Sequence, residues 1–138
     1  DYLPHNYTHN CVVYTGTHDN DTVMGWYDTL KGADKKLCDD YLRLKNADGE
    51  PIPREQLPWE FVRAAMSSVA DLAIIPMQDY LGLGSEARIN IPSTLGINWK
   101  WHMSGKVCRK CWKWRMGNGD FTKELAGRIR SMTKLYGR

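Results

Sequence analysis

A short apolar, β-branched run, Cys11-Val12-Val13-Tyr14, breaks into the polar segment Thr15-Gly16-Thr17-His18-Asp19-Asn20-Asp21-Thr22. The run has the character of a buried strand, and Gly16 lets the chain turn where side chains can face a cleft. Catalytic residues of α/β barrels sit at such strand ends, so a histidine followed by acids is a candidate site. Capping is an equally physical reading. Asp21-Thr22 immediately precedes Val23-Met24-Gly25-Trp26-Tyr27, where a short oxygen-bearing side chain would satisfy the first free N–H groups of a helix.

The rest of the chain continues this strand-then-helix rhythm. A helix is predicted from about Thr22, and a second from Ala33 to Lys45, in which Leu37, Tyr41 and Leu44 recur at helical spacing. Asn46-Ala47-Asp48-Gly49-Glu50-Pro51-Ile52-Pro53 reads as a loop. Pro58 then opens a helix whose apolar face is marked by Trp59, Phe61, Val62, Ala65, Met66, Val69 and Leu72. Leu72 to Ile75 reads as the next strand, with Pro76 at its end. Tyr80 to Leu83 suggests a short helix, and Thr122 caps a last amphipathic helix reaching Tyr136. The expected fold class is α/β, with residues 1–138 forming a single partial domain.

Composition narrows the function classes. With 138 residues and 42% hydrophobic content the chain can bury an ordinary core. No run reaches the length of a membrane span, and the N-terminal segment lacks the basic-then-apolar order of a signal peptide, so the expectation is a cytoplasmic protein with no membrane partner. The net charge of +3 is mild. Lys100, Lys106, Arg109, Lys110, Lys113 and Arg115 interleave with Trp99, Trp101, Trp112 and Trp114, a pattern that also occurs on nucleic-acid stacking surfaces. Aromatic and charged residues line carbohydrate clefts and solvated edges as well, and no nucleic-acid partner is expected.

A longer stretch adds to the first. Ile75-Pro76-Met77-Gln78-Asp79-Tyr80-Leu81-Gly82-Leu83-Gly84-Ser85-Glu86-Ala87-Arg88-Ile89-Asn90-Ile91-Pro92 follows Gly16-Thr17-His18-Asp19-Asn20-Asp21-Thr22, and Trp112-Lys113-Trp114-Arg115 follows both. In this order the motifs resemble the amylomaltases, the disproportionating 4-alpha-glucanotransferases of glycoside hydrolase family seventy-seven. The resemblance implies the C-terminal βα segments of a TIM-type barrel. It also implies transfer of alpha-1,4-glucan segments from a maltooligosaccharide or starch chain to a sugar acceptor, with retention and without a cofactor. Asp19 matches the family's third acid, which holds hydroxyls of the transferred sugar and stabilises the oxocarbenium-like transition state. His18 would donate to an adjacent hydroxyl, and Asn90 matches a residue contacting glucan near the cleavage point. The family's nucleophile and acid/base lie on earlier strands, so the upstream part of the barrel is expected to be required for activity. A noncatalytic carbohydrate-binding remnant and a fragment of a longer chain are the alternatives.

Other residues keep open readings. His18 could be a hydrogen-bonded structural histidine. Gln78, Asp79, Ser85, Glu86 and Arg88 could each bind sugar, yet a Gln-Asp pair just after a strand can equally cap the next short helix. Trp26 and Tyr27 could form a sugar platform or pack beneath the barrel rim. One departure from the family pattern lies at residues 99–116, where Trp99-Lys100-Trp101-His102-Met103 is followed by the near copy Trp112-Lys113-Trp114-Arg115-Met116. The family carries this element once, and Ser104 to Cys111 reads as inserted material. Cys108 and Cys111 have half the spacing of a zinc site, with His102 nearby, but Cys11 and Cys38 are isolated, so no metal site is assigned and the cysteines are taken as thiols.

Overall fold

The structure, a computed structural model, describes residues 3–93 and 116–138. The near-duplicated Trp element, its basic residues, His102, Cys108 and Cys111 lie outside the described residues.

Strand β1 (Val12–Tyr14) pairs in parallel with β2 (Leu72–Ile74), in the register Val12 to Leu72, Val13 to Ala73 and Tyr14 to Ile74. Parallel neighbours cannot be joined by a hairpin, so the chain between them crosses over through helices. These are α1 (Val23–Thr29), α2 (Gly32–Leu42) and α3 (Leu57–Met66). After β2 come the single-turn α4 (Met77–Tyr80), a 3₁₀ turn at Ser85–Ala87 and, near the C-terminus, α5 (Lys123–Leu135).

Helix α3 organises the packing. Pro58 sits in its first turn, where the missing donor is harmless, and Leu57, Trp59, Val62, Ala65 and Met66 are buried. Leu57 joins Val23, Met24, Tyr27, Leu42 and Leu44 in one cluster. Ala65 meets Val13 and Ala70 beneath the sheet. Trp59, Val62 and Met66 receive Leu125, Ile129 and Met132 of α5. Trp26 and Tyr27 both set their rings edge-on to Phe61, at centroid distances of 6.0 and 6.2 Å; Tyr27 is buried in the core, whereas Trp26 stays half exposed. Caps are formed where the sequence places them. Thr22 Oγ1 accepts from Gly25 N at 3.0 Å, and Thr122 Oγ1 accepts from Leu125 N at 3.1 Å.

Three expectations need correction. Helix α2 ends at Leu42 rather than Lys45, because Arg43 adopts the left-handed conformation (φ 56°) and Leu44 N–H closes back on the Asp39 carbonyl at 2.8 Å. Leu44 is buried beyond the helix, while Leu37 faces outward. Helix α3 stops at Met66, so Val69 and Leu72 do not belong to its apolar face and both are about half exposed. Ser68 Oγ donates to the Ala65 carbonyl at 2.8 Å, and Arg138 satisfies two carbonyls from a distance, with Nε donating to that of Met66 at 2.7 Å and Nη2 to that of Ser68 at 2.8 Å. The short helix after β2 spans Met77–Tyr80 rather than Tyr80 to Leu83.

Val13 is buried against the helices, but Val12, Tyr14, Leu72 and Ile74 on the opposite face are each 41–51% exposed. Beside β1 opens a groove of about 830 Å³, bordered by Leu3, Tyr7, Tyr14, Trp26, Leu37 and Phe61. Open strand edges and an uncovered apolar face favour association. Expressed on its own, the chain is therefore expected to elute as an oligomer or to precipitate in size-exclusion chromatography with light scattering. A monodisperse monomer that unfolds cooperatively would contradict this.

Candidate active site

The loop after β1 is built by its own side chains and then clamped from the region after β2. Within the loop, Asn20 Oδ1 accepts from Thr17 N and from Thr17 Oγ1, both at 2.8 Å, which folds residues 17–20 into a tight turn. Asp21 Oδ1 accepts from Thr22 N at 2.8 Å, and Asp21 Oδ2 accepts from the Ser85 hydroxyl at 2.8 Å. Helix α1 starts so close to this pair that a Cβ on Gly25 would meet Asp21 Oδ1 at 2.6 Å. Glycine is what lets the helix seat there.

Asp79 holds both ends of the loop. One carboxylate oxygen accepts from Thr15 Oγ1 at 2.5 Å and the other from Val23 N at 2.9 Å. The side chain lies on α4 yet holds the first N–H of α1, 56 residues earlier in the chain. Its residue is only 1% exposed. Burial is the main influence on this carboxyl and pushes its pKa up, with the two hydrogen bonds pulling the other way and the nearby Asp21 charge adding to the rise.

The exposed face of the loop carries His18 and Asp19, whose side chains are 65% and 48% exposed, with His18 Nε2 3.3 Å from Asp19 Oδ1. The same Oδ1 accepts from Asn90 Nδ2 at 2.6 Å. Arg88 stands behind the pair, donating from Nη2 to the Asp19 carbonyl and from Nε to the Asn90 carbonyl, each at 2.7 Å. The fold thus brings together His18, Asp19 and Asn90. Asp19 Oδ2 accepts no hydrogen bond among the described residues and is oriented by its partners rather than consumed by them.

Among the residues whose sequence readings stayed open, Gln78 Nε2 donates to the Ala87 carbonyl at 3.3 Å and Glu86 Oε1 accepts from Gly84 N at 2.9 Å, both within the segment that follows β2. Asp79, Ser85 and Arg88 reach across to the loop instead. No sequence pattern signals this reach. It follows from the parallel register, which sets Tyr14 beside Ile74 and makes the two strand exits neighbours.

The Asp19 carboxylate, with Asn90 and Arg88 beside it, lies past the C-terminal ends of two parallel strands, where α/β barrels carry their functional residues. The family model described as 4-alpha-glucanotransferase matches residues 1–108, and the chain belongs to that family. The 4-alpha-glucanotransferase of Clostridium butyricum is 45% identical over 138 residues, covering 99% of this chain and 24% of the relative. The chloroplastic/amyloplastic 4-alpha-glucanotransferase of Solanum tuberosum is 52% identical over 137 residues, covering 99% and 21% respectively. A solved amylomaltase from Streptococcus agalactiae in complex with acarbose superposes with a TM-score of 0.78 at 29% identity, covering 99% of this chain and 23% of that one. The fold is accordingly that of βα segments of a TIM-type barrel, and the chain spans less than a quarter of the length of these relatives. No helix among the described residues is long and apolar enough to cross a membrane.

Because Asp79 is buried on two donors, Asp79→Ala should lower stability by about 1–3 kcal/mol, leaving Thr15 and Val23 N–H without their acceptor. Its pH signature is distinct. A carboxyl whose folded-state pKa is raised stabilises the fold fully below its ordinary value of 3.8 and loses that contribution as pH rises through the folded value. Urea-unfolding midpoints, measured with this chain set in place of the matching segment of the Clostridium butyricum relative, should therefore favour Asp79 over Asp79→Asn most below pH 3.8, the gap shrinking as pH rises. A gap that widens with pH would contradict this assignment.

Proposed function

We propose that this chain is the part of a 4-alpha-glucanotransferase that supplies the transition-state-stabilising acid, Asp19, with His18 and Asn90 as substrate-binding neighbours. The observation that carries this reading is the 2.6 Å contact between Asn90 Nδ2 and an otherwise outward-facing Asp19 carboxylate, joining the exits of two parallel strands. An alpha-1,4-glucan would be cleaved and its glycosyl part held as an ester on the enzyme. It is then passed to a hydroxyl of a second sugar in place of water. Maltooligosaccharide or starch glucan is the substrate class, supported by the names of the relatives and by the acarbose bound to the structural neighbour.

Asp19 suits the role chemically. A fixed carboxylate accepts hydrogen bonds from vicinal sugar hydroxyls, and its attraction grows as positive charge develops at the anomeric carbon. His18, more exposed than Asp19, can donate to the neighbouring hydroxyl, and the Asn90 amide both donates and accepts. Asp21 is not a second catalytic carboxylate in this scheme, since both its oxygens are occupied by Thr22 N–H and Ser85. The nucleophile and the proton donor are assigned to the remainder of the barrel. The proposed location is cytoplasmic, with chloroplastic relatives pointing to a plastid as the second reading.

The test is a chimera in which the Clostridium butyricum relative carries this chain in place of its matching segment, assayed by maltotriose disproportionation. The unaltered chimera should transfer glucosyl units. Asp19→Asn should lower kcat about a hundred- to a thousandfold, and Asn90→Ala should act mainly on KM. An Asp19→Asn chimera with unchanged kcat would refute the role of Asp19.

A further inference from the structure

The three residues that meet at the loop form a closed circuit of hydrogen bonds. Arg88 Nη2 donates to the Asp19 carbonyl, Asn90 Nδ2 donates to the Asp19 carboxylate, and Arg88 Nε donates to the Asn90 carbonyl. Arg88 thus holds the backbone carbonyls of both Asp19 and Asn90, while the Asn90 amide holds the Asp19 carboxylate. The third nitrogen of the guanidinium, Nη1, lies 3.9 Å from Asp21 Oδ2, which is itself fixed by Ser85. Arg88 makes no contribution to the three apolar clusters, whose members lie on the helices and beneath the sheet. What its contacts fix is the spacing between the two strand-exit loops.

We propose that Arg88 is a positioning residue for Asp19: its planar fork spans the Asp19 and Asn90 carbonyls and so sets the direction of the Asp19 carboxylate and the orientation of the Asn90 amide. The inference rests on the proposed role of Asp19. A guanidinium suits this task because its donors are rigidly spaced, whereas an ammonium on a flexible stem cannot hold two carbonyls at a fixed separation. Locking both carbonyls removes the freedom that would let the carboxylate swing away from a developing charge. Preorganisation of this kind affects the transition state more than the ground state.

The experiment is a double-mutant cycle in the same chimera. Arg88→Lys should lower kcat about ten- to a hundredfold while KM changes little, the size expected when a catalytic group is displaced by about 1 Å. In the Asp19→Asn background, Arg88→Lys should add almost nothing, because the group it positions no longer carries the charge. Losses that multiply in the double variant would overturn the proposal, as would a drop confined to KM. Arg88→Gln serves as the second variant should the lysine form fail to fold. Crystal structures of the chimera and its Arg88 variant read the clamp independently of activity. The Asn90 to Asp19 contact should open beyond the hydrogen-bond limit of about 3.2 Å. A contact unchanged in the variant overturns the inference even if the chimera is inactive. If Asp19→Asn costs no activity while the contact does open, the role of Asp19 fails and the positioning geometry stands.

Discussion

The buried Asp79 carboxylate is the constraint on which the site depends. It costs free energy to take a carboxylate out of water, and here that cost is partly offset by two hydrogen bonds, from Thr15 Oγ1 and Val23 N, while burial still holds the pKa up. Those two donors are the hydroxyl of the first residue past β1 and the first N–H of α1. One side chain therefore fixes where the loop 15–22 leaves the sheet and where it enters the helix. Between these ends, Asn20 tightens the turn, Ser85 secures Asp21 and Arg88 secures Asp19. A loop pinned at its ends and middle can present a half-exposed acid in a defined direction, the preorganisation that the proposed role of Asp19 requires.

The packing beneath serves the same end. Helix α3 touches every apolar cluster, so the sheet, the crossover helices and α5 are referred to one element. Arg138, reaching from the C-terminus to the carbonyls of Met66 and Ser68, ties the last helix to the end of α3. The outward apolar residues of both strands have no such partner within the described residues. Their exposure is consistent with a segment that spans under a quarter of its relatives. In a closed barrel that face would be covered by side chains from the other strands.

Much of the local structure was legible because its causes are local. The β-branched run at Val12-Val13, the Thr22 and Thr122 caps and the proline in the first turn of α3 each act within a few residues. The endings were less legible. Arg43 takes a conformation usually left to glycine, and the Met66 carbonyl at the end of α3 is met by an arginine 72 positions away, so residue type alone marks neither stop. Leu37 fits the helical period but faces the groove instead of the core. Asp79 reads locally as a cap for its own short helix and instead caps α1, because α4 is delivered to the α1 N-terminus only when β2 lies beside β1.

The sequence by itself determined the βα rhythm and the family, and it singled out His18, Asp19 and Asn90 as the candidates proposed above, because residue type, spacing and motif order are properties of near neighbours along the chain. Only the tertiary structure decided that Asp19 and Asn90 touch, that Arg88 stands behind both, and that Asp79 serves a helix begun 56 residues earlier. The physical reason is the parallel pairing of Val12–Tyr14 with Leu72–Ile74. A parallel register is satisfied by backbone hydrogen bonds between segments far apart in the chain, and it alone places their polar exits within reach of one another.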